Sequence, residues 1–482
     1  MRRLVVGPFN RVEGDLEVTL DVADGVVRSA RVTTPLYRGF EEMLVGRPAM
    51  DALVIAPRIC GICSVSQSMA AMTALRALSG VLPAPNGVIA ANIAHAAENI
   101  ADHLIHFAVF FMPDFTRPSY AGRPWYGAAV ERFAAVKGSI AGDVLPARAR
   151  LLTILGEVAG KWPHSLAFQP GGTTRALDLG ARTRLLGVVR EFRSFFERVV
   201  LGIGVEDFLA IETADALAAY AEERSADLPA FLRIAADLGL DRLGPGPGPL
   251  MSFGAYHGID GTLFQPGVYS AAEGARPLDP DAIAEDVSHS FMRANPSLHP
   301  AAGETVPDVD RPESYTFAKA PRLGGRPVEV GALARQAVDG QPLVRALIAR
   351  DGASGVTARI VARMVETARL VLALETWVRA LDPKGPYAAP DTPRFTEGRA
   401  EGLVEAARGA LGHWIAVRGG RISHYQIVAP TTWNFSPRDA DGVPGPLETA
   451  LAGTEVGALG AEAPAVQHVV RSFDPCMVCT AH

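Results

Sequence analysis

The 482-residue chain is 48% hydrophobic and 20% charged, with 46 lysines and arginines against 52 aspartates and glutamates and a net charge of −6. That length can bury a large core in two or three lobes, and the composition is that of a globular protein. The charge balance has no basic tract, which excludes nucleic-acid binding by a charged patch, and no run reaches the roughly 18 apolar residues that insert directly into a membrane. The opening MRRLVVGPFNRVEGD returns to polar residues too soon for an export signal, so a cytoplasmic location is expected.

In chain order, the first expected element is a β-hairpin. LEVTLDV and VVRSARVTT flank the turn dipeptide Asp24-Gly25. SQSMAAMTALRALS follows at helical spacing, with Gly80 as its stop. Residues 92–112 predict a long helix, apolar on more than one side and therefore buried, and 182–202 and 356–381 predict two more. Between 224 and 325 proline and glycine accumulate, with GPGPGP at 244–249, which reads as a loop-rich lobe because apolar residues persist. HWIAVRGGRISHYQIVAP, 413–430, predicts a second hairpin turning at Gly419-Gly420. The expected class is α+β, predominantly helical, with long buried helices and small peripheral hairpins. The chain divides into a β-rich segment 1–55, a helical core 56–223, the Pro/Gly-rich lobe 224–325, and 326–482 with helices, hairpin and C-terminal cysteines, interwoven as one unit. No Gly-x-Gly-x-x-Gly or Walker loop opens a helix, so nucleotide chemistry has no support.

The four cysteines carry the chemistry. They form two Cys-x-x-Cys pairs at opposite ends, Cys60/Cys63 and Cys476/Cys479, the second pair close to His482. Local zinc ribbons separate their pairs by only about 15–20 residues, so a shared site here must be assembled by the fold. In a reducing compartment such cysteines read as metal ligands or redox thiols, and four thiolates suit zinc, iron–sulfur or nickel. One pair alone reads equally as a redox dithiol or half a structural zinc site.

The flanking residues narrow the choice. PRICGIC at 57–63 and DPCMVCTAH at 474–482 resemble the N- and C-terminal signatures of the large subunit of [NiFe] hydrogenases. The resemblance extends through RVEG at 11–14, YRGFE at 37–41, Asp102-His103 with His106, GKWPH at 160–164, YTFAKAPR at 315–322, EAARG at 405–409 and PTTWN at 430–434. It implies a hydrogenase that cleaves H2 heterolytically, an H2:acceptor oxidoreductase. All four thiolates would hold nickel, Cys60 and Cys476 as terminal ligands, while Cys63 and Cys479 would also bridge to an iron carrying carbon monoxide and two cyanides. Cys476 would be the first proton acceptor and Glu13 the relay onward. Arg408, with Asp102 and Asp474 as carboxylate partners, would stand over the open metal position. Thr431 would donate to the second cyanide, and Glu41, the carbonyl near Ile427 and His482 would hold Mg2+.

The sequence departs from the family pattern at three places. Gln67 stands where a histidine is usual, Asp15 replaces a histidine after Glu13-Gly14, and Ala407 replaces the proline before Arg408. Gln67, and a chain ending at His482 without the tail most members are synthesised with, resemble the H2-sensing, regulatory branch, which turns H2 over slowly and signals to a histidine kinase. With all four cysteines at nickel, electrons must leave through an iron–sulfur small subunit in a heterodimer. The alternatives are an energy-conserving uptake hydrogenase and, from another class, a structural scaffold around a four-cysteine zinc site. A thiol oxidoreductase is weaker, because neither pair has a clear βαβ setting.

Overall fold

The structure, a computed structural model, describes residues 2–258, 261–457, 460 and 463–482; Ile259 and Asp260 of the Pro/Gly-rich stretch lie outside the described residues. The N-terminal alternation folds as expected. Val18, Leu20 and Val22 are buried along strand Glu17–Ala23, which pairs antiparallel with Val26–Thr33 through Leu20↔Ala30. Asp24 and Gly25 take φ of 54° and 74°, the left-handed pair that matches the strand twist in a two-residue hairpin. A third strand, Arg2–Val6, adds to this sheet.

Helices make up 46% of the residues and strands 19%, an α+β composition. Helix Ser64–Ser79 ends at Gly80 in the left-handed conformation, as the sequence predicts. The helix expected over 92–112 begins earlier, as Pro85–Ile105, because Pro85 fits a first turn that needs no N–H. It then widens into a π turn, His106–Phe111. Helices Leu179–Phe195 and Val356–Ala380 stand where the periodicity put them. The sequence reading did not resolve Ile140–Ala159, which contains Pro146, nor Asp227–Leu238 inside the Pro/Gly-rich stretch. Among the described residues no helix is long and apolar enough to cross a membrane.

Near the C-terminus, Gly409–Arg418 and Arg421–Val428 form the expected hairpin about Gly419-Gly420, and Glu397–Ala406 completes a three-stranded sheet. That first strand is poor in β-branched residues. It is held instead by close contact: a Cβ at Gly402 would lie 2.0 Å from Ala70 O, so helix Ser64–Ser79 rests directly on its backbone. The same sheet therefore supports the first cysteine pair.

One buried carboxylate ties the two ends together. Asp114 takes charged hydrogen bonds from Arg11, from Arg117 at 2.9 Å and from Arg471 at 2.6 Å, and Arg471 also donates to Asn10 O at 2.7 Å. Burial favours the neutral acid, but Arg471 and Arg11 outweigh it and hold Asp114 at about 2. Because this lies below the ordinary carboxylate value, the group stabilises the fold above about pH 4, and its contribution of about 2 kcal/mol is lost as pH falls toward 2. Asp114→Asn is expected to lower unfolding free energy by about 3 kcal/mol or more at pH 7, and to flatten the stability decline between about pH 4 and pH 2, both measurable by denaturant titration.

Candidate metal centre

Two loops from opposite ends of the chain meet in the interior. Glu13 N donates to Pro475 O at 3.4 Å and Met477 N to Glu13 O at 2.7 Å, a short parallel bridge. Gly14 permits this approach. Its φ is +82°, and a Cβ there would lie 3.1 Å from Val478 N. Asp474 also has a positive φ, 57°, which aspartate tolerates better than most residues. Arg38 bridges the two cysteine loops, donating to Ile59 O at 2.6 Å and to Val478 O. His164 Nδ1 donates to Pro57 O at 2.9 Å and so fixes the approach to Cys60.

All four thiols converge. Sulfur separations are 3.6 Å for Cys60–Cys476, 3.4 Å for Cys63–Cys479 and 3.0 Å for Cys476–Cys479. The sulfurs of Cys60, Cys63 and Cys479 lie within 4.8 Å of one another. Four sulfurs 2.3 Å from one ion would stand about 3.8 Å apart in a tetrahedron, so small adjustments close the set around a cation. No disulfide joins them. Hydrogen bonds from Cys476, Cys479 and Cys63 pull the Cys60 thiol well down, while the bond with Cys476 pushes Cys63 and Cys479 well up. Four thiolates together would require a metal ion that displaces their protons. The all-sulfur donor set fits nickel.

Arg408 lies beside this cluster, 4% exposed. Its Nη2 stands 3.1 Å from both Asp102 Oδ1 and Asp474 Oδ1, and its Nε donates to Asp474 O at 2.9 Å. The two carboxylates share one guanidinium. Burial pushes Asp102 well up, whereas against the same burial Arg408 holds Asp474 below the ordinary carboxylate value. Thr431 Oγ1 accepts from Cys476 N at 3.2 Å, which leaves its hydroxyl hydrogen to donate elsewhere. Glu13 is half-buried, and burial, then the charge of Cys60, raises its carboxyl.

Gln67 lies one helical turn after Cys63, with its N–H on Cys63 O at 3.0 Å. Its Oε1 accepts from His413 Nε2 at 2.8 Å, and His413 Nδ1 stands 2.8 Å from the Tyr425 hydroxyl. Burial drives His413 down to about 3, so this ring is neutral.

A second candidate cation site adjoins the cluster. Glu41 Oε1 accepts from Ile427 N at 2.8 Å and from Gln426, and lies 3.7 Å from His482 Nε2. His482 Nδ1 and Nε2 stand 2.9 Å from Cys479 O and Ile427 O. A neutral imidazole has one N–H for these two carbonyls. A cation held by Glu41, Ile427 O and Nε2 resolves the mismatch, leaving Nδ1–H for Cys479 O. A cavity of about 20 Å³ borders these groups and Lys319, room for one small ion or water.

The sequence profile of the nickel-dependent hydrogenases matches residues 38–121 and 143–482. The chain belongs to the nickel-dependent hydrogenase family. It is 31% identical to the periplasmic [NiFeSe] hydrogenase large subunit of Desulfomicrobium baculatum, over all of this chain and 95% of that one. It is 26% identical to the hydrogenase-2 large chain of Escherichia coli, over all of this chain and 97% of that one. The solved H2-activated [NiFeSe]-hydrogenase of Dm. baculatum superposes with a TM-score of 0.84 at 28% identity, and the reduced Ni-Fe-Se hydrogenase of D. vulgaris Hildenborough with 0.84 at 27%, each covering both chains fully. This hydrogenase large subunit is an oxidoreductase acting on H2 at a nickel centre.

The structure brings Cys60, Cys63, Cys476 and Cys479 together, with Arg408 beside them, on supports that have no counterpart in the sequence analysis. Arg335, fully buried, donates to Glu405 Oε2 at 2.7 Å, Glu366 Oε1 at 2.6 Å, Ala406 O at 2.8 Å and Ala407 O at 2.9 Å. It thereby holds the peptide before Arg408, where Ala407 lacks the rigidity of proline. An arginine inside the apolar run GALARQAV was the signal. Serine at any of the four cysteine positions is expected to reduce bound nickel at least about 10-fold, more than the loss of a second-layer partner; elemental analysis of the purified variants checks this.

Proposed function

We propose that the chain binds a nickel–iron centre on Cys60, Cys63, Cys476 and Cys479, with Cys63 and Cys479 also reaching the iron, and that it splits H2 there with Glu13 as proton relay. The observation that carries this reading is the buried four-sulfur cluster bridged by Glu13 to Cys476 and faced by Arg408. Such a centre, with carbon monoxide and two cyanides on iron, supplies a Lewis acid toward H2, whose heterolysis needs a base beside the metal. Glu13 pairs by its backbone with Cys476, which would take the first proton, and its carboxyl feels the charge of Cys60. Glu13, raised from the ordinary carboxylate value and half-buried, joins this interior to solvent. Arg408 keeps a fixed positive charge over the cluster, because Asp102 and Asp474 hold its guanidinium in place, and it and the Thr431 hydroxyl are placed to donate to cyanide nitrogens. Glu41, Ile427 O and His482 would hold Mg2+, which would keep His482 next to Cys479.

With every cysteine committed to metal, electrons pass to an iron–sulfur small subunit. The relatives named above are themselves large subunits or large chains. Gln67 in place of histidine favours a cytoplasmic H2 sensor that turns over slowly and signals to a histidine kinase. An uptake hydrogenase would instead couple rapid H2 oxidation to an electron acceptor.

In the purified complex, infrared bands of one carbonyl and two cyanides that shift under H2 are expected; their absence, with zinc bound instead, would overturn the nickel–iron reading. Glu13→Gln is expected to slow H/D exchange about 100-fold while metals remain bound, as loss of a positioned acid–base group does. Arg408→Lys should lower H2 oxidation by a similar factor without unfolding the chain. Slow turnover that leaves kinase autophosphorylation responsive to H2 supports the sensor, and turnover at hundreds per second opposes it.

A further inference from the structure

The helix that follows the first cysteine pair begins without a cap of its own. Cys63 stands at the N-cap of Ser64–Ser79, and among the described residues its side chain accepts no backbone N–H. Its sulfur faces the cluster instead, 3.4 Å from that of Cys479. The first N–H groups of a helix have no partner within it, and buried ones must find an acceptor elsewhere. Glu98 supplies it. Oε2 of this buried carboxylate accepts from Val65 N at 2.8 Å, and Oε1 accepts from Ser66 N at 2.9 Å and from the Ser66 hydroxyl at 3.0 Å. Val65 and Ser66 are the second and third helical residues, whose N–H groups an N-cap side chain ordinarily satisfies.

The same carboxylate reaches a second segment. Trp162 Nε1 donates to Glu98 Oε2 at 2.9 Å. Two residues on, His164 N donates to Ser64 Oγ at 3.3 Å and its ring to Pro57 O at 2.9 Å. Between them Pro163 lies against Gly61, 3.7 Å from where a Cβ would stand. Residues 162–164 thus touch the chain before, within and after the first cysteine pair, with Glu98 as their anchor. Glu98 lies on helix Pro85–Ile105, one turn before Asp102, which stands 3.1 Å from Arg408. One helix face therefore holds the first cysteine pair through Glu98 and the guanidinium through Asp102. Burial raises the Glu98 carboxyl to about 7 against the pull of its four donors, and above that pH it is an anion.

We propose that Glu98 is a positioning residue for the first cysteine pair: its carboxylate caps the helix that Cys63 opens and braces residues 162–164 against the turn between Cys60 and Cys63. This rests on the reading of Cys60 and Cys63 as metal ligands. A carboxylate suits the task because both of its oxygens accept and neither donates. It also sets a negative charge at the helix N-terminus, offsetting the positive pole that would otherwise draw electron density from the Cys63 thiolate.

The test is infrared spectroscopy of the assembled, nickel-loaded complex in mildly alkaline buffer, comparing Glu98→Gln with Glu448→Gln. Glu448 is a matched control. It is equally buried, its carboxyl is likewise raised to about 7 by burial, and it accepts from Val32 N at 3.0 Å and the Tyr315 hydroxyl at 2.8 Å. Among the described residues it has no cysteine partner. Glu98→Gln keeps the side-chain size but must turn its NH2 group toward one pair of donors, so half the cap and the charge are lost. Its carbonyl stretch is expected at higher frequency, because the Cys63 thiolate then passes less density to the metals. Glu448→Gln is expected to lower the melting temperature and leave the band in place. Trp162→Phe, a milder change that releases residues 162–164 from the carboxylate, should also displace the band, and it decides if Glu98→Gln fails to assemble. An unmoved band in Glu98→Gln or, where that variant fails, in Trp162→Phe overturns the positioning role while leaving the nickel–iron reading intact, as does an equal displacement in Glu448→Gln. An unaltered complex with no diatomic bands at all overturns both.

Discussion

Four sulfur atoms held 3.0–3.6 Å apart along their closest contacts repel one another once more than one is ionised. Two unit charges at that separation cost about 5 kcal/mol per pair at an effective dielectric near 20. A buried cation converts this repulsion into attraction, and much of the surrounding structure supports that exchange. The first cysteine pair stands on a helix end held by the C-terminal sheet. The second stands on a loop held against residues 11–14. Arg38 and Asp114 keep the two loops from separating before the metal is bound.

The positive side of the site is equally constrained. Arg408 is buried between two carboxylates, and an unpaired charge in that place would cost several kcal/mol. Its backbone is fixed in turn by Arg335, whose guanidinium satisfies two carboxylates and two successive carbonyls. Substituting alanine for proline at position 407 therefore does not free this segment. A hydrogen-bonded clamp from the helix Ala332–Val338 supplies the rigidity that a pyrrolidine ring supplies elsewhere.

The terminal histidine illustrates the same economy of contacts. His482 is 4% exposed. Both of its ring nitrogens meet carbonyl oxygens, and Glu41 from the other end of the chain lies alongside. Strand Arg421–Val428 serves two purposes here, offering Tyr425 toward the Gln67 side and Gln426 with Ile427 toward Glu41.

By itself the sequence determined the helices Ser64–Ser79 and Val356–Ala380, both hairpin turns and the two cysteine pairs that the fold brings together. These depend on local signals: apolar spacing, Gly80, Asp24-Gly25, Gly419-Gly420, and cysteines in distinctive surroundings. Strand Glu397–Ala406 was illegible because its stability comes from helix Ser64–Ser79 lying on Gly402, not from its own β-propensity. Helix Asp227–Leu238 was hidden by the prolines and glycines around it. The clamps at Asp114 and Arg335, and the Gln67–His413–Tyr425 chain, join residues as far as 461 positions apart. Only the tertiary structure decided these, because a buried charge or hydrogen-bond donor takes its partner from whatever the fold brings within about 3 Å, and sequence distance carries no record of that.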